Sequence, residues 1–459
     1  MSTFPIVQQK SAAPPFTATR NACKLCAPLG AALVIRGVEG ALPYLHGSQG
    51  CATYMRRYII SHFREPMDIA ASNFSEASTV FGGSDTFRQG ITNVQSQYRP
   101  ELIGIATTCL TETIGEDLSL LLSNYGAGSD EHGPALVPVS TPSYRGTHID
   151  GFHAAVLALV EKLAHSSNSL GTHINLFPGM VSPADLRHLK EIVTDFEMQA
   201  VLLPDYSDTL DGVAADVYHK IPAGGTPLAA IRSTADAIGT IEFGRTIFNR
   251  TTAASHLEQK FKVPAHRMGM PIGVRETDVF FQVLEQLSGV ETPRKHSDER
   301  GRLIDAYVDG HKYVYGARAV IFGEEDLVVG LASFLAEIGV EPVLCGSGGV
   351  SGNLAASLAA VAPQFAASML ICDDTDFLSM EERARDLKPD FLIGSSKGQL
   401  MARHLDVPLI RVGFPVHDRI GGQRILHLGY RGAQQLFDRV VNTLLDRKQQ
   451  NSPIGYSYM

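Results

Sequence analysis

The sequence predicts an α/β fold built as three stacked Rossmann-like domains with mostly parallel sheets. Short apolar runs alternate with helical patterns along nearly the whole chain, as parallel strands and their crossover helices do. That alternation restarts twice, which divides the chain into blocks at 21–167, 168–300 and 301–459. A third observation concerns chemistry: Cys26, Cys51 and Cys109 each stand where a turn or strand meets a helix.

Residues 1–20 read as a flexible N-terminal arm without the apolar core of a signal peptide. In the first block, residues 101–109 (ELIGIATTC) read as a buried parallel strand, followed by a helix over 111–124 with Glu112 in its first turn. Residues 135–140 form the next strand, and a helix over 151–164 closes the block. The second block opens with a strand over 174–177. A turn then leads to a helix with Ser182 as N-cap, Pro183 in its first position and Asp185 in its first turn. A strand over 200–203 follows. The third block has strands over 318–322, 342–345, 369–372, 391–393 and 409–412, a helix over 325–338, and a C-terminal helix over 430–447. That last helix is expected to pack back on another block.

Bulk composition excludes several classes. With 44% apolar and 19% charged residues among 459, the chain can bury large cores and is not disordered. A net charge of −9 without a dense Lys/Arg run argues against a nucleic-acid surface. No apolar run reaches the roughly 18 residues that span a membrane. A cytoplasmic protein is expected, in which thiols stay reduced and available to metal.

The three cysteines lie 25 and 58 positions apart, unlike a zinc ribbon or a bacterial ferredoxin. Cys51 ends HGSQGC (46–51), where Gly47 and Gly50 allow a tight turn before a helix. A helix N-terminus is expected to lower its thiol pKa, and thiolate is the form that ligates iron. Cys109 ends a strand before a helix, and Cys26 precedes a proline suited to the first helical position. One such cysteine alone is commonly a core residue. Three in one kind of context point to loops converging on an iron–sulfur cluster.

Cys23 and Cys26 form C-x-x-C, but no strand precedes them, so dithiol redox chemistry fits poorly. GSGGVSG (346–352) departs from G-x-G-x-x-G at Ser351 and reads as a loop facing a subunit interface rather than a nucleotide loop. Cys345 and Cys372 read as core residues. VFGG (80–83) is expected to shape a loop near the cluster. Ser143, in TPSYRGTH, is either a turn serine or a hydroxyl reaching a cluster sulfide or iron.

Taken together these segments resemble the nitrogenase component 1 family, on its β-type side. The resemblance rests on HGSQGC (46–51), HFREP (62–66), VFGG (80–83), TTCLTETIGEDL (107–118), TPSYRGTHIDGF (141–152) and GMVSPAD (179–185). It continues in MPIGVRETD (270–278), DFLIGSS (390–396), PLIRVGFPVHDR (408–419) and LGYRGA (428–433), covering nearly all of the chain after residue 20. It implies that Cys26, Cys51 and Cys109 are ligands of an iron–sulfur cluster shared with a partner subunit, and that Ser143 lies beside that cluster. It also implies an α2β2 heterotetramer with an α-type subunit and transient docking of a nitrogenase iron protein (NifH-like).

Within the family, NACKLCAPLGA (21–31), ATYMRRYIISHFREP (52–66) and GYSYM (455–459) look most like the NifN-type scaffold branch. That likeness implies a NifE-like partner and a precursor of the iron–molybdenum cofactor maturing on the complex. Scaffold chains of this type keep the counterpart of Cys51 and lack those of Cys26 and Cys109. This chain keeps all three, as catalytic β-type chains do. The alternative expectation is a β-type subunit of a nitrogenase or nitrogenase-like reductase, such as methylthio-alkane reductase, with a P-cluster-like electron relay.

Overall fold

Buried apolar strands with helices on both faces organise the chain, as the alternation predicts. The computed structural model describes residues 21–126, 133–167 and 169–454. The predicted arm at 1–20 and the segment GYSYM lie outside the described residues.

The first sheet comprises β1 (Ala41–His46), β2 (Ala70–Ala71), β3 (Leu102–Thr107) and β4 (Ala135–Val139) in the order β2-β1-β3-β4. The second has β5 (His173–Phe177), β6 (Gln199–Leu202), β7 (Gly239–Phe243) and β8 (Ala265–Met268) in the order β6-β5-β7-β8. The third contains β9 (Arg318–Gly323), β10 (Glu341–Ser347), β11 (Leu370–Cys372), β12 (Phe391–Gly394) and β13 (Leu409–Arg411) in the order β11-β10-β9-β12-β13. Every strand pair within these sheets is parallel. β1 and β3 are buried at every residue.

Most helix ends follow the sequence signals. Ser182 caps the helix Pro183–Asp195, with Pro183 first and Asp185 closing a capping box. The helix Gln49–Phe63 stops at Arg64, which takes a left-handed conformation at φ 63° just before Pro66. One expectation fails. The helix expected over 111–124 is two helices, Cys109–Ile114 and Leu118–Gly126, because Gly115 turns left-handed at φ 76° and ends the first.

The C-terminal helix Gly429–Gln450 packs back on the helices Arg294–Val314 and Gly273–Ser288. An ionic cluster reinforces this docking: Arg431 reaches Glu191 at 3.0 Å and Glu299 at 2.6 Å. Arg431's hydrogen bonds, opposed by partial burial and helped by Lys295, hold the Glu191 carboxyl down at about 2. Burial pushes Glu299 upward, but His296 and Arg431 outweigh it and hold that carboxyl at about 2. Both folded pKa values lie below the unfolded 4.5, so this stabilisation is present above about pH 4.5 and is lost as pH falls toward 2. Glu299→Gln should therefore lower the melting temperature at neutral pH, and the gap to wild type should close in calorimetry below about pH 4.5.

Among the described residues no helix is long and apolar enough to cross a membrane.

Candidate metal centre

The loops after β1 and β3 carry Cys51 and Cys109, and Cys26 stands at the start of the helix that leads into β1. β1 and β3 are adjacent in parallel register, with Ala41 opposite Leu102 and His46 opposite Thr107. The loops leaving them therefore emerge side by side. Strand order reverses between these two strands, and such a switch point is where open α/β sheets bind ligands. A Cβ on Gly47 would lie 2.0 Å from Thr108 Oγ1, so glycine is what lets the Cys51 loop approach the Cys109 loop.

Cys51 is the third residue of the helix Gln49–Phe63, whose cap Ser48 accepts a hydrogen bond from the Gly50 N–H. Cys109 does not end the strand as expected: β3 stops at Thr107, Thr108 is the cap, and Cys109 opens the short helix Cys109–Ile114. Cys26 is the N-cap of the helix Ala27–Arg36, with Pro28 in the second helical position rather than the expected first. Cys26 and Cys51 are half-buried and Cys109 is exposed.

Backbone-to-backbone packing sets the position of Cys26. The helix Ala27–Arg36 lies directly on the helix His148–Leu163. A Cβ on Gly30 would stand 1.7 Å from the His148 carbonyl oxygen, and one on Gly151 would stand 1.9 Å from that of Ala27. Ser143 follows β4 in a short 3-10 turn, and its Oγ accepts a hydrogen bond from the Ala27 N–H at 3.2 Å. The hydroxyl is thereby fixed one residue from Cys26.

Burial, then the neighbouring Cys26 and Cys109 thiols, push the Cys51 thiol above its ordinary value. The helix N-terminus was expected to lower it, and desolvation with two nearby sulfurs outweighs that effect. Close approach disfavours ionising neighbouring thiols together, a cost that bound iron would relieve. Among the described residues no three His, Cys, Asp or Glu side chains close around a single metal ion. The trio does not fit a mononuclear site, whereas three thiolates on a partly open face suit one half of a polynuclear iron–sulfur cluster.

Two supporting residues escaped sequence reasoning. Glu116 Oε2 lies 3.3 Å from His46 Nε2, and its Oε1 accepts from the Gly83 N–H at 2.8 Å. Burial lowers the His46 pKa against the pull of Glu116. Glu116 thus ties HGSQGC to VFGG, the loop expected to lie nearby. Ser72 Oγ accepts from the Gly47 N–H at 2.8 Å and holds the same turn. Val80 and Phe81 beside them are exposed.

Cys23 does not join the trio. Its N–H donates to the Thr375 carbonyl at 3.4 Å, its side chain packs with the third sheet's core, and burial pushes its thiol up to about 12. Gly348 of GSGGVSG meets the Cys23 backbone, where a Cβ would stand 2.6 Å away, so this glycine serves intrachain packing. Cys345 and Cys372 are core residues, as expected.

Comparison with known proteins agrees with this architecture. Residues 26–445 match the family described as "Nitrogenase component 1 type Oxidoreductase". The chain is 34% identical over 432 residues to the nitrogenase molybdenum-iron protein beta chain of Clostridium pasteurianum, covering 93% of each. It is 33% identical to the corresponding Azotobacter vinelandii chain, covering 94% of this chain and 84% of that one. It is 35% identical to the nitrogenase vanadium-iron protein beta chain of Trichormus variabilis, covering 91% of this chain and 92% of that one. A solved chain of "Nitrogenase Cp1 at pH 6.5" superposes with a TM-score of 0.93 at 32% identity, covering 97% of this chain and 98% of that chain. The chain therefore belongs to the nitrogenase component 1 family, and within it to the beta-chain type.

Proposed function

We propose that this chain is the β-type subunit of a component 1 reductase, and that Cys26, Cys51 and Cys109 hold one half of an iron–sulfur cluster shared with an α-type subunit. The observation that supports the reading is that Cys26, Cys51 and Cys109 each stand at the start of a helix, with Cys26 and Cys109 near enough to act on the Cys51 thiol. When bound, such a cluster supplies one-electron transfer at a potential set by its ligands and surroundings.

This chain's residues do the holding and positioning. Cys51 anchors the middle of the trio on a long helix. Cys26 is fixed by the glycine contact between two helices, and Cys109 by the approach of Gly47 to Thr108. Glu116 and Ser72 fix the turn before Cys51. Ser143, held by the Ala27 N–H, presents a hydroxyl next to Cys26. The reading includes an α-type partner in a heterotetramer, an iron protein that docks transiently, and a substrate-reducing cofactor held by the partner.

Ser143→Ala should leave iron content unchanged and alter the spectrum of the oxidised cluster. Identical electron paramagnetic resonance and Mössbauer spectra in variant and wild type would remove Ser143 from the site.

A second reading has its own support. The likeness of residues 21–31 and 52–66 to the NifN-type branch favours a scaffold on which a precursor of the iron–molybdenum cofactor matures with a NifE-like partner. One experiment separates the two. The complex with its partner is given an iron protein, reductant and ATP. Steady substrate reduction without transfer of cofactor to an apo-enzyme supports the reductase. Cofactor transfer without turnover overturns that reading in favour of the scaffold.

A further inference from the structure

A lysine that follows the third sheet's β12 reaches the segment that carries Cys26. β12 ends at Gly394, and the short 3-10 turn Ser396–Gly398 after it carries Lys397 toward the start of the chain. The Lys397 ammonium donates to the Ala22 carbonyl and, at 3.5 Å, to the Lys24 carbonyl. Asn21 answers by donating from Nδ2 to the Lys397 carbonyl at 3.2 Å. The segment leading to Cys26 is therefore clamped across more than 370 positions of sequence.

Lys397 lacks the usual compensation. It is partly buried, and among the described residues no carboxylate forms an ion pair with it. A cation removed from water normally has an anionic partner, because desolvation without one is costly. Burial lowers its pKa, and the groups acting against that are the thiols of Cys23 and Cys26. Burial pushes the Cys23 thiol well above its ordinary value. The two carbonyls that hold the ammonium lie four and two residues before Cys26, so a cluster-bound Cys26 thiolate would be its countercharge.

We propose that Lys397 is a positioning residue for the iron–sulfur site: its ammonium is the fixed countercharge to the Cys26 thiolate and raises the reduction potential of the cluster. The inference rests on the cluster reading above. A fixed positive charge stabilises the more negative, reduced state, which is one of the levers by which protein surroundings set such potentials. A purely mechanical clamp would not act on the potential in this way.

The test uses the complex of this chain with its α-type partner, purified without oxygen, as wild type, Lys397→Gln and Lys397→Arg. Midpoint potentials come from a mediated redox titration read by electron paramagnetic resonance, with iron measured in parallel. The expected result is a midpoint shifted to more negative values in K397Q and close to wild type in K397R. Loss of iron in K397Q, with full iron in K397R, would also support the charge. A fully loaded K397Q complex with an unmoved midpoint overturns the inference and leaves the cluster reading intact. Iron lost equally from both variants also overturns it, reducing Lys397 to a clamp. A wild-type complex without iron would instead overturn the cluster reading itself.

Discussion

Cys51→Ala is expected to strip iron from the complex and weaken its subunit association, while the chain still folds. Cys51 is the sulfur that senses both others, since Cys26 and Cys109 each act on its thiol. It is half-buried, and its side chain is only a partly buried neighbour of the main core. Removing it deletes a ligand without opening a core cavity, so the melting temperature of the isolated chain should change little. Losing a mere supporting partner of a metal ligand costs about 10- to 100-fold in metal affinity, and losing the ligand itself should cost at least that. Iron per complex should fall by one cluster's share, and the heterotetramer should dissociate more readily on size-exclusion chromatography. An unchanged iron content and cluster spectrum would refute the role of Cys51.

Gly151→Val is expected to damage the site from a distance. Its Cβ would stand 1.9 Å from the Ala27 carbonyl oxygen and 3.0 Å from the Ala27 Cα, both rigid backbone atoms. The helices Ala27–Arg36 and His148–Leu163 must separate, and overpacking of this kind costs about 1–3 kcal/mol or more. The separation moves Cys26 and breaks the Ala27 N–H to Ser143 hydrogen bond. The variant should therefore lose both thermal stability and iron. Gly301→Ala is the matched control: nothing lies within 4 Å of its Cβ, and in a helix interior alanine should be neutral or stabilising. Normal iron in Gly151→Val would show that the helix contact does not position Cys26.

The parts legible in the sequence were those with local causes. β3 announced itself by five apolar residues followed by Thr107, all buried. Ser182, Pro183 and Asp185 marked a helix start because capping chemistry acts over three residues. The three thiols stood out because each sits at a junction that a turn signal exposes. What stayed hidden depends on chain segments meeting in space. Glu116 carried no signal of its own in the sequence, and only the approach of the β1 and β3 loops gives it His46 and Gly83 as partners. Lys397 lies hundreds of positions from Ala22, and no periodicity links them. Cys23 stood in an apparent C-x-x-C pair, and only the fold packs its side chain against the third sheet's core. The Cys51 pKa was misjudged because the helix effect is local while burial and neighbouring sulfurs are tertiary.

The central claim, that Cys26, Cys51 and Cys109 jointly hold an interfacial cluster, is tested most directly by anomalous diffraction at the iron absorption edge. The crystals would be of the complex with its α-type partner, grown without oxygen. The account predicts iron peaks bonded to all three Sγ atoms, with the rest of the cluster bonded to the partner. Iron absent from that face, or held there without these three sulfurs, would contradict it.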